Sequence, residues 1–129
     1  SVLTISCTEA SLNDSDSKNI SYLTYKSDGC IAEKLMKTND EATLNYEYYD
    51  GKLKIEASFT TQCEAEFKDS VMITGSRINI FLADTASTIA KCNCPFKEEF
   101  NFKIDNQKEI HVLFCLNDTV LADSLLKLY

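Results

Sequence analysis

The pair Cys92-Asn93-Cys94 constrains this chain more than any other feature. It belongs to a set of six cysteines, completed by Cys7, Cys30, Cys63 and Cys115. An even number of scattered cysteines reads as a disulfide framework, and disulfides persist in oxidising compartments. Spacing alone leaves the connectivity open. One geometric constraint narrows it. On a strand, residues i and i+2 point to the same face. Cys92 and Cys94 are therefore badly placed to bond each other, and each should reach a different partner. We expect Cys63 for one and Cys30 for the other, which leaves Cys7–Cys115 to tie the two ends.

A chain of 129 residues is expected to form a single domain, residues 1–129. At this size about two-thirds of the unfolded surface can be buried, so disulfides reinforce a core rather than replace one. One Pro and three Gly leave no stretch for a flexible linker, and no internal repeat is visible. The net charge of −7 argues against nucleic acid as a partner and against charge-driven docking on an anionic membrane. No apolar run approaches the roughly 20 residues that cross a bilayer as a helix. No signal peptide is present, so an exported form is expected to be a mature chain.

Apolar alternation carries the fold. Leu44, Tyr46 and Tyr48 alternate with polar residues, then Asp50-Gly51 follows, a dipeptide that accepts positive φ at both positions of a type I′ hairpin. Leu53, Ile55, Ala57 and Phe59 alternate with Lys52, Lys54, Glu56 and Ser58 on the return strand. A second hairpin is predicted over residues 71–82, turning at Gly75-Ser76 with Ile78, Ile80 and Leu82 toward the core. Phe96, Phe100, Phe102 and Ile104 mark another strand, and Ile110, Val112 and Phe114 the next. Residues 2–5 and 20–25 read as short strands, with polar turn material over 11–19. Ile31, Leu35 and Met36 predict a helix over 31–38. The tail from Val120 suits a helix slightly better than a strand. The expected fold is mainly β, an antiparallel sandwich or flattened barrel of about eight strands with one or two short helices, disulfide-bonded. Half-polar strands exclude a parallel sheet buried on both faces.

Residues that could carry chemistry are few. A Cys-x-Cys pair can bind a soft metal or be redox active, but zinc needs about four N or S ligands and no second close pair exists. The remaining soft ligands are His111, Met36 and Met72. No Cys-x-x-Cys in a βαβ setting is present. His111, the one histidine, sits in an alternating strand facing solvent, and no Gly-x-Ser-x-Gly elbow accompanies it. Asn13-Asp14-Ser15-Asp16 lacks the Gly and the closing Glu of a calcium loop; Tyr25 falls at the Glu position. Glu98-Glu99 and Glu64/Glu66 read as solvated carboxylates rather than an acid–base pair for sugar hydrolysis. Tyr46 and Tyr48 share one face and Tyr49 lies on the other. They read as core, or as a contact surface where exposed.

The order of Gly29-Cys30, Ala32-Glu33-Lys34, the Tyr-rich strand 44–48, Asp50-Gly51, Cys63, Asp69-Ser70, Gly75, Asp84-Thr85-Ala86 and Cys92-Asn93-Cys94 resembles small exported proteins and lipoproteins of Bacteroidota bacteria. The match covers more than half the chain. Members of that family often carry Cys-x-Cys-x-Cys, whereas Ala90 stands at the first position here. The resemblance implies export to the periplasm or cell surface and a lipid anchor on a cysteine upstream of Ser1. It also implies O-glycosylation at Asp-Ser/Thr pairs followed by an apolar residue: Ser70, Thr85, Thr119 and Ser124. Such pairs are also ordinary turn formers. The sequons at Asn13, Asn19 and Asn117 matter only in a eukaryotic secretory pathway. The resemblance assigns no catalytic residue.

The sequence points to an extracytoplasmic, non-catalytic binding module with no cofactor. Its expected partner is a protein or a small apolar ligand. Rival readings are an inhibitor of a secreted protease, a lipocalin-like carrier of an apolar ligand, and a Cys-x-Cys metal or redox protein.

Overall fold

The computed structural model describes residues 7, 19–30 and 42–128. They form eight strands: β1 (Ile20–Cys30), β2 (Thr43–Tyr49), β3 (Lys52–Gln62), β4 (Phe67–Thr74), β5 (Arg77–Asp84), β6 (Asn93–Ile104), β7 (Glu109–Leu116) and β8 (Thr119–Lys127). Two four-stranded sheets result, ordered β1-β6-β3-β2 and β4-β5-β7-β8. The sheets do not close into a barrel. The fold is a β-sandwich, with β1 meeting β4 at one seam and β2 meeting β8 at the other.

Turn chemistry sets the hairpins. Asp50 and Gly51 both take positive φ (54° and 77°), as a type I′ turn requires, and pair Tyr49 with Lys52. Gly75 alone is positive in the β4–β5 turn, at 59°. A third turn has Asn117 and Asp118 at 49° and 68°, folding β8 back along β7. That turn corrects the helical reading of the tail. Apolar residues occupy both faces of β8: Leu126 is buried, whereas Val120 and Leu125 are exposed at the sandwich edge. Adjacent apolar pairs on an edge strand mimic helical spacing. Among the described residues there is no helix. The helix over 31–38 and the strand over 2–5 lie outside them.

One strand pair is parallel, β5 with β7. The chain leaves β5, crosses to the opposite sheet as β6, and returns as β7, so the two neighbours run the same way. All other ladders are antiparallel.

The core lies between the sheets. The inward row of β3 is Leu53, Ile55, Ala57 and Phe59, all buried, and β5 contributes Ile78, Ile80 and Leu82. Phe59 packs on Phe114 across the gap at 5.4 Å between centroids, and Phe67 meets Phe96 edge-on at 5.1 Å. Offset and edge-on arrangements suit the aromatic quadrupole. We expect Phe100→Ala, which empties a fully buried site, to cost about 3–5 kcal/mol in denaturant unfolding. Lys103→Ala on the exposed side of the same strand should stay within about 0.5 kcal/mol. Equal costs at the two positions would contradict the assigned faces.

Candidate functional site

Disulfide bridges fix the end of the sandwich where the candidate site lies. Cys7 bonds Cys115, Cys30 bonds Cys94, and Cys63 bonds Cys92. Cys92 and Cys94 thus reach different partners, as their spacing demands. The Cys30–Cys94 bridge depends on a bulge. Ser27 opposes Glu98, yet Cys30 opposes Phe96, so β1 carries one extra residue there. Gly29, at φ 71°, absorbs it. Without the bulge Cys30 would fall opposite Pro95, on the outward face. With it, Cys30 turns to the inward face that Cys94 occupies. The sulfurs of Cys30, Cys63 and Cys94 lie within 4.8 Å of one another. All are engaged in bridges, so none is a thiolate for a metal.

The same inward row of β6 holds Glu98, fully buried between Phe96 and Phe100. Its carboxyl accepts a hydrogen bond from the Tyr25 phenol and another, at 2.7 Å, from the Ser27 hydroxyl. Desolvation raises its pKa above the ordinary glutamate value; the two donors oppose this, and the charge of Asp28 adds to it. Beside it, the Tyr22 phenol donates to Asp69 Oδ2 at 2.7 Å and joins β1 to β4. Burial, with Asp69 for Tyr22 and Glu98 for Tyr25, pushes both phenols far above their usual range, so both remain donors. This seam is a closed polar latch, with both phenols and the buried carboxyl already paired.

A second network sits in the connection from β5 to β6, residues 85–92. Gln62, the last residue of β3, is its hub. Its Nε2 donates to Asp84 Oδ2 at 2.9 Å and to the Thr88 carbonyl at 3.5 Å. Its Oε1 accepts from Ala90 N at 2.9 Å and from Glu64 N at 3.0 Å. Asp84 Oδ1 accepts from Ala86 N and Glu66 N at 3.0 and 3.1 Å. Burial would raise the Asp84 pKa, but Gln62 and the two backbone donors outweigh it and hold the carboxyl below its usual value. The Thr88 hydroxyl donates to Glu64 Oε1 at 3.1 Å. Cys63 N donates to the Cys92 carbonyl at 3.0 Å, beside their bridge. Between these braces Ile89 stands 82% exposed. The Cβ-bearing residues of this loop all keep negative φ.

The other residues singled out from sequence disperse. His111 faces outward on β7 and bonds Asp123 of β8; its cross-strand neighbours Arg77 and Leu125 supply no nucleophile. Glu64 supports the 85–92 loop, whereas Glu98 and Glu99 point to opposite faces and form no pair. Tyr48 packs on the core, Tyr46 donates to the Lys127 carbonyl at 2.9 Å across the β2–β8 seam, and Tyr49 is exposed at the hairpin. Met72 lies on β4, and Met36 and Asn13–Asp16 lie outside the described residues. Of the Asp-Ser/Thr pairs, Thr85 and Thr119 are exposed and Ser70 and Ser124 are half-buried. The Thr85 hydroxyl donates to the Glu66 carbonyl at 3.0 Å. On the outer face of the second sheet a cleft of about 500 Å³ adjoins the Cys7–Cys115 bridge, lined by Lys68, Ser70, Phe81 and Asp118 among others.

Sequence reasoning missed three of these residues. Glu98 stands in phase with Phe96 and Phe100, and that phase could have marked it as inward. Asp84 carried only the local signal of a turn-forming Asp, met by Ala86 N, and Gln62 carried none; the partners that make them a hub lie 18 to 28 residues away.

No protein-family model, curated protein or solved structure matches the chain. Three bridges agree with an oxidising, extracytoplasmic setting.

The latch makes a pH prediction. A folded pKa above the unfolded one means that the native state binds more protons in the window between them. Glu98 therefore favours the fold fully below its unfolded pKa, and that contribution is lost as pH rises through the raised folded value. We expect Glu98→Gln to gain stability relative to wild type as pH goes from about 4 to about 8 in urea unfolding. Parallel pH curves for the two proteins would sink the desolvation account.

Proposed function

We propose that this chain is a non-catalytic extracytoplasmic binding module that presents the 85–92 loop to a partner. One observation carries the reading: a large apolar side chain, Ile89, is 82% exposed on a loop whose backbone is braced on both sides. An isolated exposed aliphatic residue is ordinary. One held out by a hydrogen-bonded hub and a disulfide is different, because bracing lowers the ordering cost of binding. Loops on a rigid scaffold are also where recognition residues concentrate.

Two further observations favour surface binding over the alternatives. Phenylalanines fill the space between the sheets, which disfavours an apolar ligand carried inside. The single histidine and the buried carboxyl are each satisfied by structural partners, which disfavours acid–base catalysis. On the resemblance to exported Bacteroidota proteins, we place the module in the periplasm or at the cell surface, tethered by a lipid upstream of Ser1.

Photo-crosslinking in the exporting organism tests this. A photoreactive residue at position 89 should give a discrete adduct that excess unlabelled protein suppresses. The same residue at position 103, on the outer side of β6, should give none. Equal labelling from both positions, or none from position 89, would overturn the proposal.

A further inference from the structure

We propose that the 85–92 loop is a substrate-like inhibitory loop for a serine endopeptidase, with Ile89 entering the primary specificity pocket. This rests on the binding reading above and names its partner class.

Three requirements of such a loop are met. The first is a protruding side chain suited to a pocket, supplied by Ile89 at 82% exposure. An aliphatic β-branched side chain fits a small apolar pocket rather than a charged one. The second is a backbone that can lie along an enzyme cleft. Bends at residues 87–88 and 91–92 bracket Ile89 and Ala90, and no residue of the loop takes a positive φ. The third is rigidity on both sides of the bond to be presented. The Gln62 amide contacts the Thr88 carbonyl and Ala90 N, the two backbone groups flanking Ile89. Thr88 is tied further to Glu64 on the side before that bond. On the side after it, Cys92 is bonded to Cys63.

The braces also predict resistance to cleavage. The enzyme's serine oxygen adds to the Ile89 carbonyl carbon. The Ile89–Ala90 bond then breaks, and the serine's proton passes by way of the enzyme's histidine to the departing Ala90 amine. Gln62 and the Cys63–Cys92 bridge keep that amine in place. It can attack the acyl-enzyme, remake the peptide bond and return the proton and the serine before water enters. Protease–inhibitor complexes of ordinary interface size are among the tightest known, and preorganisation is the reason.

The test does not require knowing the natural enzyme. Ile89→Arg should convert the loop into an inhibitor of a trypsin-type protease, at least about 100-fold stronger than the wild-type chain against that enzyme. Wild type should in turn favour an elastase-type protease over a trypsin-type one. Gln62→Ala, a positioning variant, should still engage an elastase-type enzyme but be cut between residues 89 and 90 much faster, as followed by mass spectrometry. Lack of inhibition by Ile89→Arg, with native bridges confirmed by non-reducing peptide mapping, overturns the protease assignment. So does cleavage of folded wild type as fast as of the reduced, unfolded chain. If position 89 still crosslinks a partner in that case, only the protease assignment falls; if it does not, both proposals fall.

Discussion

The alternation of β6 is the constraint on which the rest of this molecule depends. The strand is flanked on both edges, by β1 and β3, and only one of its faces meets the other sheet. Its inward row is Cys94, Phe96, Glu98, Phe100, Phe102 and Ile104, every member buried. A slip of one residue would send four apolar side chains to the outside and expose Cys94. The bridge from Cys30 to Cys94 opposes that slip, and the bulge at Gly29 lets the bridge form while Ser27 and Tyr25 stay opposite Glu98 and Phe100, a second register shift falling between Tyr22 and Thr24. Disulfide, bulge and alternation specify one arrangement between them.

Both seams of the sandwich are joined by tyrosines. Tyr22 reaches Asp69 on one side and Tyr46 reaches the Lys127 carbonyl on the other. At the Tyr22 seam the ring packs on the core while the hydroxyl reaches a polar group at the margin, whereas Tyr46 is exposed and reaches across the other seam through its hydroxyl. Tyr22 lies tilted against Phe102 and Tyr25 stacks on Phe100, at 5.1 and 5.2 Å between centroids. The buried carboxyl of Glu98 is tolerated because two hydroxyls of the edge strand meet it. Without them it would be an unpaired charge in a phenylalanine core, an arrangement that folding disfavours strongly.

The loop after β5 follows the opposite logic. It buries little and belongs to no sheet, yet it is held by many polar contacts that converge on Gln62 and Asp84. The most exposed aliphatic side chain among the described residues, Ile89, sits within it, while the strands keep most of theirs inside. The hydrogen bonds hold this irregular segment with Ile89 outward, and the proposed binding role rests on that contrast.

Much of this architecture was legible in the sequence because it is local. Period-two alternation marked β2, β3, β5, β6 and β7, Asp50-Gly51 marked its turn, and the Cys92/Cys94 spacing marked divergent bridges. The tail misled because apolar residues occupy both faces of its strand, so Leu121, Leu125 and Leu128 fall at the i, i+4, i+7 spacing of a helix. The parallel pairing of β5 with β7, the pairing of Glu98 with the Tyr25 and Ser27 hydroxyls of β1, and the bracing of residue 89 by Gln62 were decided only in three dimensions. Each joins residues from 26 to 73 positions apart. The sequence by itself determined which side chains seek the interior and which turns are cheap, since those follow from periodicity and φ preference. Only the tertiary structure decided which polar groups meet, because a hydrogen bond depends on distance in space and leaves no period along the chain.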